Sequence, residues 1–342
     1  MTLTTPQEAR RQMSLCGQQG IPFLFVFDFE MRNAVFIPQP LEQHEVLFQT
    51  PLGGNATEAA PSRIPSAREE ETNDGKAHRP SKEAIIPHPL SYEAYQQRFA
   101  TVSHGLHRGD SFLTNLTVQT PIDCGLSLSD IFNTTHAPYR LLLPEKFVCF
   151  SPEIFVRITG STISTYPMKG TIDASVPNAA QVILNDPKET AEHTTVVDLL
   201  RNDLGINARG VEVKRFRYID RIDTPQHSIL QVSSEIQGIL PDNWRSRIGE
   251  IICDMLPAGS VSGAPKQATL HLIERAEGTP RGFYCGVFGY FDGQNLDSAV
   301  LIRYIEKEGD KFFFRSGGGI TVNSDCRSEY NEVIEKIYLP TT

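Results

Sequence analysis

The stretch 147–171, FVCFSPEIFVRITGSTISTYPMKGT, decides how this chain folds. Apolar and β-branched residues fill 147–158 and return over 162–166, which reads as two neighbouring strands. Ser151-Pro152-Glu153 lies within the first run, and Lys169 follows the second. Side chains on neighbouring strands meet in cross-strand pairs, so Glu153 and Lys169 can face each other. Two readings fit the pair. A buried lysine with a lowered pKa is a nucleophile or base, and a glutamate in a closed site is a general acid. From the residues alone, a strand-to-strand ion pair of the kind common on protein surfaces is the favoured reading.

Working outward, strands are expected at 23–29 and 34–37, around Glu30-Met31-Arg32-Asn33. More follow at 112–118, 139–143, 211–219, 229–239, 284–291 and within 299–314, the last with a turn at Lys307-Glu308-Gly309-Asp310. Ser91 reads as the N-cap of a helix carrying Tyr92, Tyr95, Phe99, Val102 and Leu106 on one face. Further helices are expected at 176–184, 189–204 (closed by Gly205), 245–255, 266–276 and 328–337. Strands and helices mix without a βαβ period, which predicts an α+β fold with antiparallel sheets rather than a doubly wound one. Residues 1–51 supply a short N-terminal strand pair to the same domain. Residues 52–89, rich in Pro, Gly, Ser, Ala and charge, read as a disordered insertion or linker, with a binding loop as the other reading. Residues 90–342 form the main body.

Of 342 residues, 39% are hydrophobic and 21% charged, as in a soluble globular protein. A formal net charge of -9 argues against nucleic acid or an anionic membrane as the main partner. It leaves room for an anionic small molecule where a metal or a local basic patch reverses the field. No apolar run approaches the ~20 residues of a membrane helix, and the N-terminus lacks a signal-peptide pattern. The six cysteines are scattered with no CxxC pair, which suits reduced thiols in the cytoplasm.

Three further clusters carry chemistry. Glu189 and Glu192 are spaced i, i+3 on one helix, and Glu329 and Glu332 repeat that spacing on another. Facing each other, the two pairs make a hard oxygen site suited to Mg²⁺; apart, they are solvated helix faces. The run Leu256-Pro257-Ala258-Gly259-Ser260-Val261-Ser262-Gly263-Ala264-Pro265-Lys266 precedes a helix whose N-terminus can hold an anion, or is a plain connecting loop. Ser316-Gly317-Gly318-Gly319 follows the strand bearing Arg303 and can hold a carboxylate, or simply turn the chain.

Together these runs resemble the chorismate-utilising enzymes, a family that includes anthranilate synthase component I, aminodeoxychorismate synthase component I, and the isochorismate and salicylate synthases. The resemblance rests on Ala191-Glu192 leading to Val197-Asp198-Leu199-Leu200-Arg201-Asn202-Asp203, on Gly259 to Lys266, on Tyr284-Cys285-Gly286 and on Glu329-Tyr330-Asn331-Glu332. It spans Gly109 to about Lys336, roughly two thirds of the chain. The resemblance implies two antiparallel sheets packed face to face, with helices outside and the site between the sheets. It implies that Glu192 and Glu332 hold Mg²⁺ with Glu329 and Glu189 close by. Gly170, Thr171, Tyr284, Arg303, Gly317, Gly318 and Gly319 match the chorismate-binding positions, Ser260 falls in the matching glycine-bearing loop, and Glu153 matches the general acid/base. Pro167-Met168-Lys169-Gly170-Thr171 resembles the aminodeoxychorismate synthases, whereas anthranilate synthases carry an alanine at the lysine's place. That likeness implies a Lys169 adduct at C2 of chorismate, amination at C4, and 4-amino-4-deoxychorismate as a precursor of p-aminobenzoate and folate. It also implies ammonia from a separate glutamine amidotransferase subunit, component II, since the chain shows no nucleophile-elbow cysteine.

Three departures qualify the likeness. Leu113 stands where the water-activating members have a lysine, which argues against hydration. Gln231 stands where many members have a histidine, with His227 nearby but off register. The N-terminal region is short, which argues against tryptophan feedback. Anthranilate synthase component I, a lyase, and a non-catalytic chorismate-binding protein are the alternatives.

Overall fold

The run over 147–158 is not one strand. It breaks at Pro152 into Phe147–Ser151 and Ile154–Thr159. Proline has no N–H to give a ladder, so it ends pairing where it stands. The two halves enter different sheets. The chain switches back between Leu296–Val300 and Tyr304–Glu308, through Arg303 in left-handed backbone at φ 53°. The two corners lie side by side: Val300 N–H donates to Glu153 O at 3.1 Å, and Phe150 N–H to Arg303 O at 3.1 Å.

The computed structural model describes residues 3–56, 85–223 and 228–340. Two nine-stranded antiparallel sheets form the body. One runs Met168–Asp173, Ser228–Ile239, Thr162–Thr165, Ile154–Thr159, Leu296–Val300, Val287–Phe291, Phe23–Phe27 and Ala34–Pro38, with Arg209–Asp223 along the far edge of Ser228–Ile239. The other centres on Leu113–Cys124, Lys311–Ile320, Tyr304–Glu308, Phe147–Ser151 and Tyr139–Leu143. Their inner faces meet through aromatic pairs, with Phe48 against Tyr290 at 5.2 Å and Tyr139 against Phe288 at 6.4 Å between ring centroids. Helices cover the outside. Tyr95, Val102 and Leu106 of Tyr92–Arg108 pack with Leu272 on Leu116 and Val118, and Ser91 caps that helix as expected. No helix among the described residues is long and apolar enough to cross a membrane.

Several boundaries differ from the sequence reading. A helix Pro6–Gln19 precedes the N-terminal strand pair, capped by Thr5 and burying Ala9, Met13 and Cys16. Its sequence is mostly polar, so its narrow apolar stripe does not stand out. Gly205 is the last residue of Pro187–Gly205 rather than a left-handed cap, because the chain continues right-handed through Ile206. The glycine run 317–319 is strand, not turn; Gly319 pairs with Asn115 and Gly317 with Thr117. At the edges of the 52–89 stretch, Gly53–Gly54 and Ile85–Pro87 pair with sheet strands; residues 57–84 lie outside the described residues, as does His227.

Arg281 ties the walls together. Its guanidinium is buried, ion-paired with Glu277 at 2.6 Å, and donates to Val261 O and Asn115 O at 2.7 Å each. Breaking a buried pair leaves an uncompensated charge behind. Arg281→Leu is expected to lower stability by about 3 kcal/mol in a urea titration; a change below about 1 kcal/mol would show that Glu277 finds other company.

Candidate active site

Between the sheets lies a cleft of about 640 Å³. The candidate catalytic, substrate-binding and metal residues read from the sequence all line it: Lys169, Glu153, Gly170, Thr171, Ser260, Tyr284, Arg303, Gly317, Gly318, Gly319, Glu189, Glu192, Glu329 and Glu332. Leu113 and Gln231 line it too. The two sheet-switching corners explain why Glu153 and Arg303 reach it, since neither belongs to a ladder and both point where the sheets part.

Glu153 and Lys169 are not partners in a strand-to-strand ion pair. Lys169 Nζ stands 3.0 Å from Glu192 Oε2, and Glu153 Oε1 accepts from the Ser260 hydroxyl. The strand Met168–Asp173 pairs with Ser228–Ile239, not with the strand before Glu153. The expected lowering of the lysine pKa is also reversed. Burial pulls Lys169 down, but the Glu192, Glu332 and Glu189 carboxylates hold its proton and raise it overall. Glu153 is pushed up by burial, against the hydrogen bond from Ser260 and the charges of Lys336 and Lys169. A shift in this direction suits a carboxyl that donates a proton.

The two carboxylate pairs come from helices far apart in the chain, Pro187–Gly205 and Cys326–Glu335, and face the same space. Burial raises Glu189 and Glu329, with Glu192 and Glu332 adding like-charge repulsion. Lysines answer the charge. Lys188 Nζ is 3.6 Å from Glu329 Oε1, and Lys336 Nζ is 2.6 Å from Glu332 Oε1 and 2.7 Å from Gly317 O. The sequence reading gives no role to Lys188 or Lys336. The signal was the i, i+4 spacing of Lys188 with Glu192 and of Glu332 with Lys336. Among the described residues, no three acidic, His or Cys side chains are grouped as a ready metal cage. The donor set nonetheless fits a hard cation: all donors are carboxylate oxygens, and Glu192 Oε1 is buried with no hydrogen-bond partner. Asn115 Oδ1 and Ser316 Oγ on the same walls are also unpartnered, as in a site built for a polar ligand.

The glycines make room. Gly170 has φ 87°, and a Cβ there would lie 2.8 Å from Glu189 Oε2. A Cβ on Gly319 would press on Leu113 Cδ1 and Lys169 Nζ, each at 3.2 Å. Gly170→Ala is expected to cost about 1–2 kcal/mol from the left-handed backbone alone and to displace Glu189. Thermal unfolding checks this; an unchanged midpoint would mean the backbone relaxes. His193, next to Glu192, is buried, and burial first and then the Arg217 charge bring it down to about 4, so its ring is neutral.

Residues 10–341 match the model of the chorismate binding enzymes. A protein of Haemophilus influenzae named "Uncharacterized PabA-like protein" is 45% identical over 340 residues, covering 99% of this chain and 98% of that one. Aminodeoxychorismate synthase component 1 of Bacillus subtilis is 31% identical over 265 residues, covering 73% of this chain and 55% of that protein, so the chain spans about half its length. The crystal structure of anthranilate synthase component I from Streptococcus pneumoniae aligns with a TM-score of 0.62 at 26% identity, over 74% of this chain and 58% of that one. With the family match running nearly end to end over the strands and helices that build the cleft, the chain belongs to the chorismate binding enzyme family.

Proposed function

We propose that this chain is an aminodeoxychorismate synthase component I, a cytoplasmic transferase that aminates chorismate at C4 with ammonia from a separate glutamine amidotransferase subunit. The observation that carries the reading is an amine, Lys169, lining the same cleft as a carboxyl, Glu153, whose proton affinity burial raises. A site that used ammonia at C2 directly would have no task for that amine.

The amine of Lys169, having lost its proton, adds to C2 of the ring. The ring double bonds shift to C1=C6 and C4=C5, the C4–O bond breaks, and Glu153 gives the departing hydroxyl the proton that makes it water. Ammonia then adds at C4 and gives up a proton that returns to Glu153. The double bonds return, the C2–N bond breaks, and the Lys169 nitrogen leaves as the amine. The sum is chorismate plus ammonia giving 4-amino-4-deoxychorismate plus water. Arg303 and the Gly317–Gly319 backbone hold carboxylate, while Tyr284, Gly170 and Thr171 shape the ring's berth. Glu192, Glu332, Glu329 and Glu189 would hold Mg²⁺, which supplies positive charge against the C1 carboxylate. Leu113, apolar and lining the same cleft as the Lys169 amine, offers nothing to activate water at C2.

Incubating the protein with chorismate, Mg²⁺ and ammonium and separating the products tests the reading. 4-Amino-4-deoxychorismate is expected, with turnover lost on chelation and restored by Mg²⁺. Anthranilate as the sole product would make the chain a lyase; binding without turnover would make it a non-catalytic chorismate-binding protein.

A further inference from the structure

We infer that His193 is a positioning residue for Lys169, acting through the main chain that carries it; this rests on the reading of Lys169 as the nucleophile. The strand bearing Lys169 does not hold it by its own ladder. Met168 pairs with Ser233 and the next pair is Thr171 with Gln231, so Lys169 and Gly170 fall in a register break with one residue more than the partner strand. Such bulges re-aim a side chain, but they leave its backbone without the usual cross-strand hydrogen bonds.

His193 stands behind this break. Its ring is fully buried, with Nε2 2.6 Å from Ser234 Oγ. The Lys169 main chain acts on the ring; with Nε2 taken by Ser234, Nδ1 is the nitrogen left to face it, and it has no hydrogen-bond partner. Unpartnered buried ring nitrogens are uncommon enough to need a reason, and a backbone left unladdered at the nucleophile supplies one. Ser234 is fixed in turn. Its N–H donates to Pro167 O at 2.9 Å, two residues before Lys169, and its Oγ accepts from Arg217 N–H at 2.9 Å. Arg217 sits in left-handed backbone at φ 50°, in a bulge of its own between Arg215 and Tyr218. Its guanidinium donates to Leu184 O at 2.8 Å and Ile183 O at 3.1 Å, closing the C-terminus of Ala179–Asn185. The bulge at Lys169 is therefore gripped at Pro167 and backed at Lys169 by one connected set of side chains. None of them lines the cleft.

The test uses three variants of the full chain. His193→Ala is expected to lower kcat for chorismate amination about 30-fold while the chorismate KM stays within about threefold, since an amine misplaced by about 1 Å reacts slowly though the cleft still binds. An asparagine amide reaches the place of Nδ1 and a glutamine amide that of Nε2. His193→Asn should therefore recover most of the loss and His193→Gln little of it. If the alanine variant does not fold, the asparagine and glutamine pair still decides. A second readout does not depend on the reaction: acylation of lysines by acetic anhydride, followed peptide by peptide by mass spectrometry. Lys169 labelling in His193→Ala should shift at least about fivefold from the parent while Lys266 labelling is unchanged. Unchanged Lys169 labelling, or equal loss in the asparagine and glutamine variants, overturns the proposal. Absence of chorismate amination in the parent protein overturns the functional reading instead, and the labelling result then stands alone on His193.

Discussion

Lys169→Ala is expected to lower C4 amination at least about 10⁴-fold, equivalent to about 5.5 kcal/mol in the barrier at about 1.36 kcal/mol per tenfold. The loss is large because the lysine is asked to open a route rather than to ease one. Without it, ammonia can meet the ring only by direct attack, and attack at C2 gives the anthranilate-type intermediate. The residual product of the variant should therefore carry nitrogen at C2. Alanine also leaves the buried Glu192 without its 3.0 Å partner, so some stability is lost with it. Lys169→Arg separates the two effects. It keeps positive charge against Glu192, yet a guanidinium stays protonated and cannot form the adduct. Stability near the parent with amination still absent is the expected result for arginine. Product analysis at saturating ammonium reads both variants, and C4 amination within tenfold of the parent in Lys169→Ala would sink the covalent route.

Glu153→Gln should lower kcat about 10³-fold, within the range for a positioned general acid. Its effect on the pH profile is more telling. Reaction needs Glu153 protonated and Lys169 neutral. Below the Glu153 ionisation, each pH unit multiplies the neutral-lysine fraction by about ten, and the rate climbs. Above it, loss of the Glu153 proton cancels that gain, and the rate levels. Burial pushes Glu153 up, so the break lies above the ordinary carboxylate range. The Gln variant has no carboxyl, so its profile should climb without a break until Lys169 itself titrates. A break retained at the same pH in Glu153→Gln would assign the ionisation to another group and remove Glu153 from the proton-transfer role.

Much of the site was legible in the chain because its pieces are local. The i, i+3 spacing of Glu189 with Glu192 and of Glu329 with Glu332 puts each pair on one helix face whatever the rest of the fold does. Ser91 and the face from Tyr95 to Leu106 announce a helix by cap and period alone. The Pro6–Gln19 helix was not legible, because its polar sequence buries only a narrow stripe. The lysine pKa was misread for a related reason. Burial alone predicts lowering, and the carboxylates that reverse it come from residues 20 to 163 positions away in sequence, which no local pattern reveals.

The sequence by itself determined the residue types, many of their helix and strand settings, and the family resemblance. Only the tertiary structure decided how Glu153 and Lys169 come to share a cleft. They are not cross-strand neighbours. Pro152 denies a ladder its donor, the chain changes sheets there, and Glu153 is left at a corner where the sheets part. Lys169 reaches the same space from a bulge on another strand, and the facing carboxylates arrive on two helices separated by more than a hundred residues. Periodicity records only which face of an element is buried. Which elements bury those faces against each other is fixed by long-range packing, and the amine at 169 acquires its partners there.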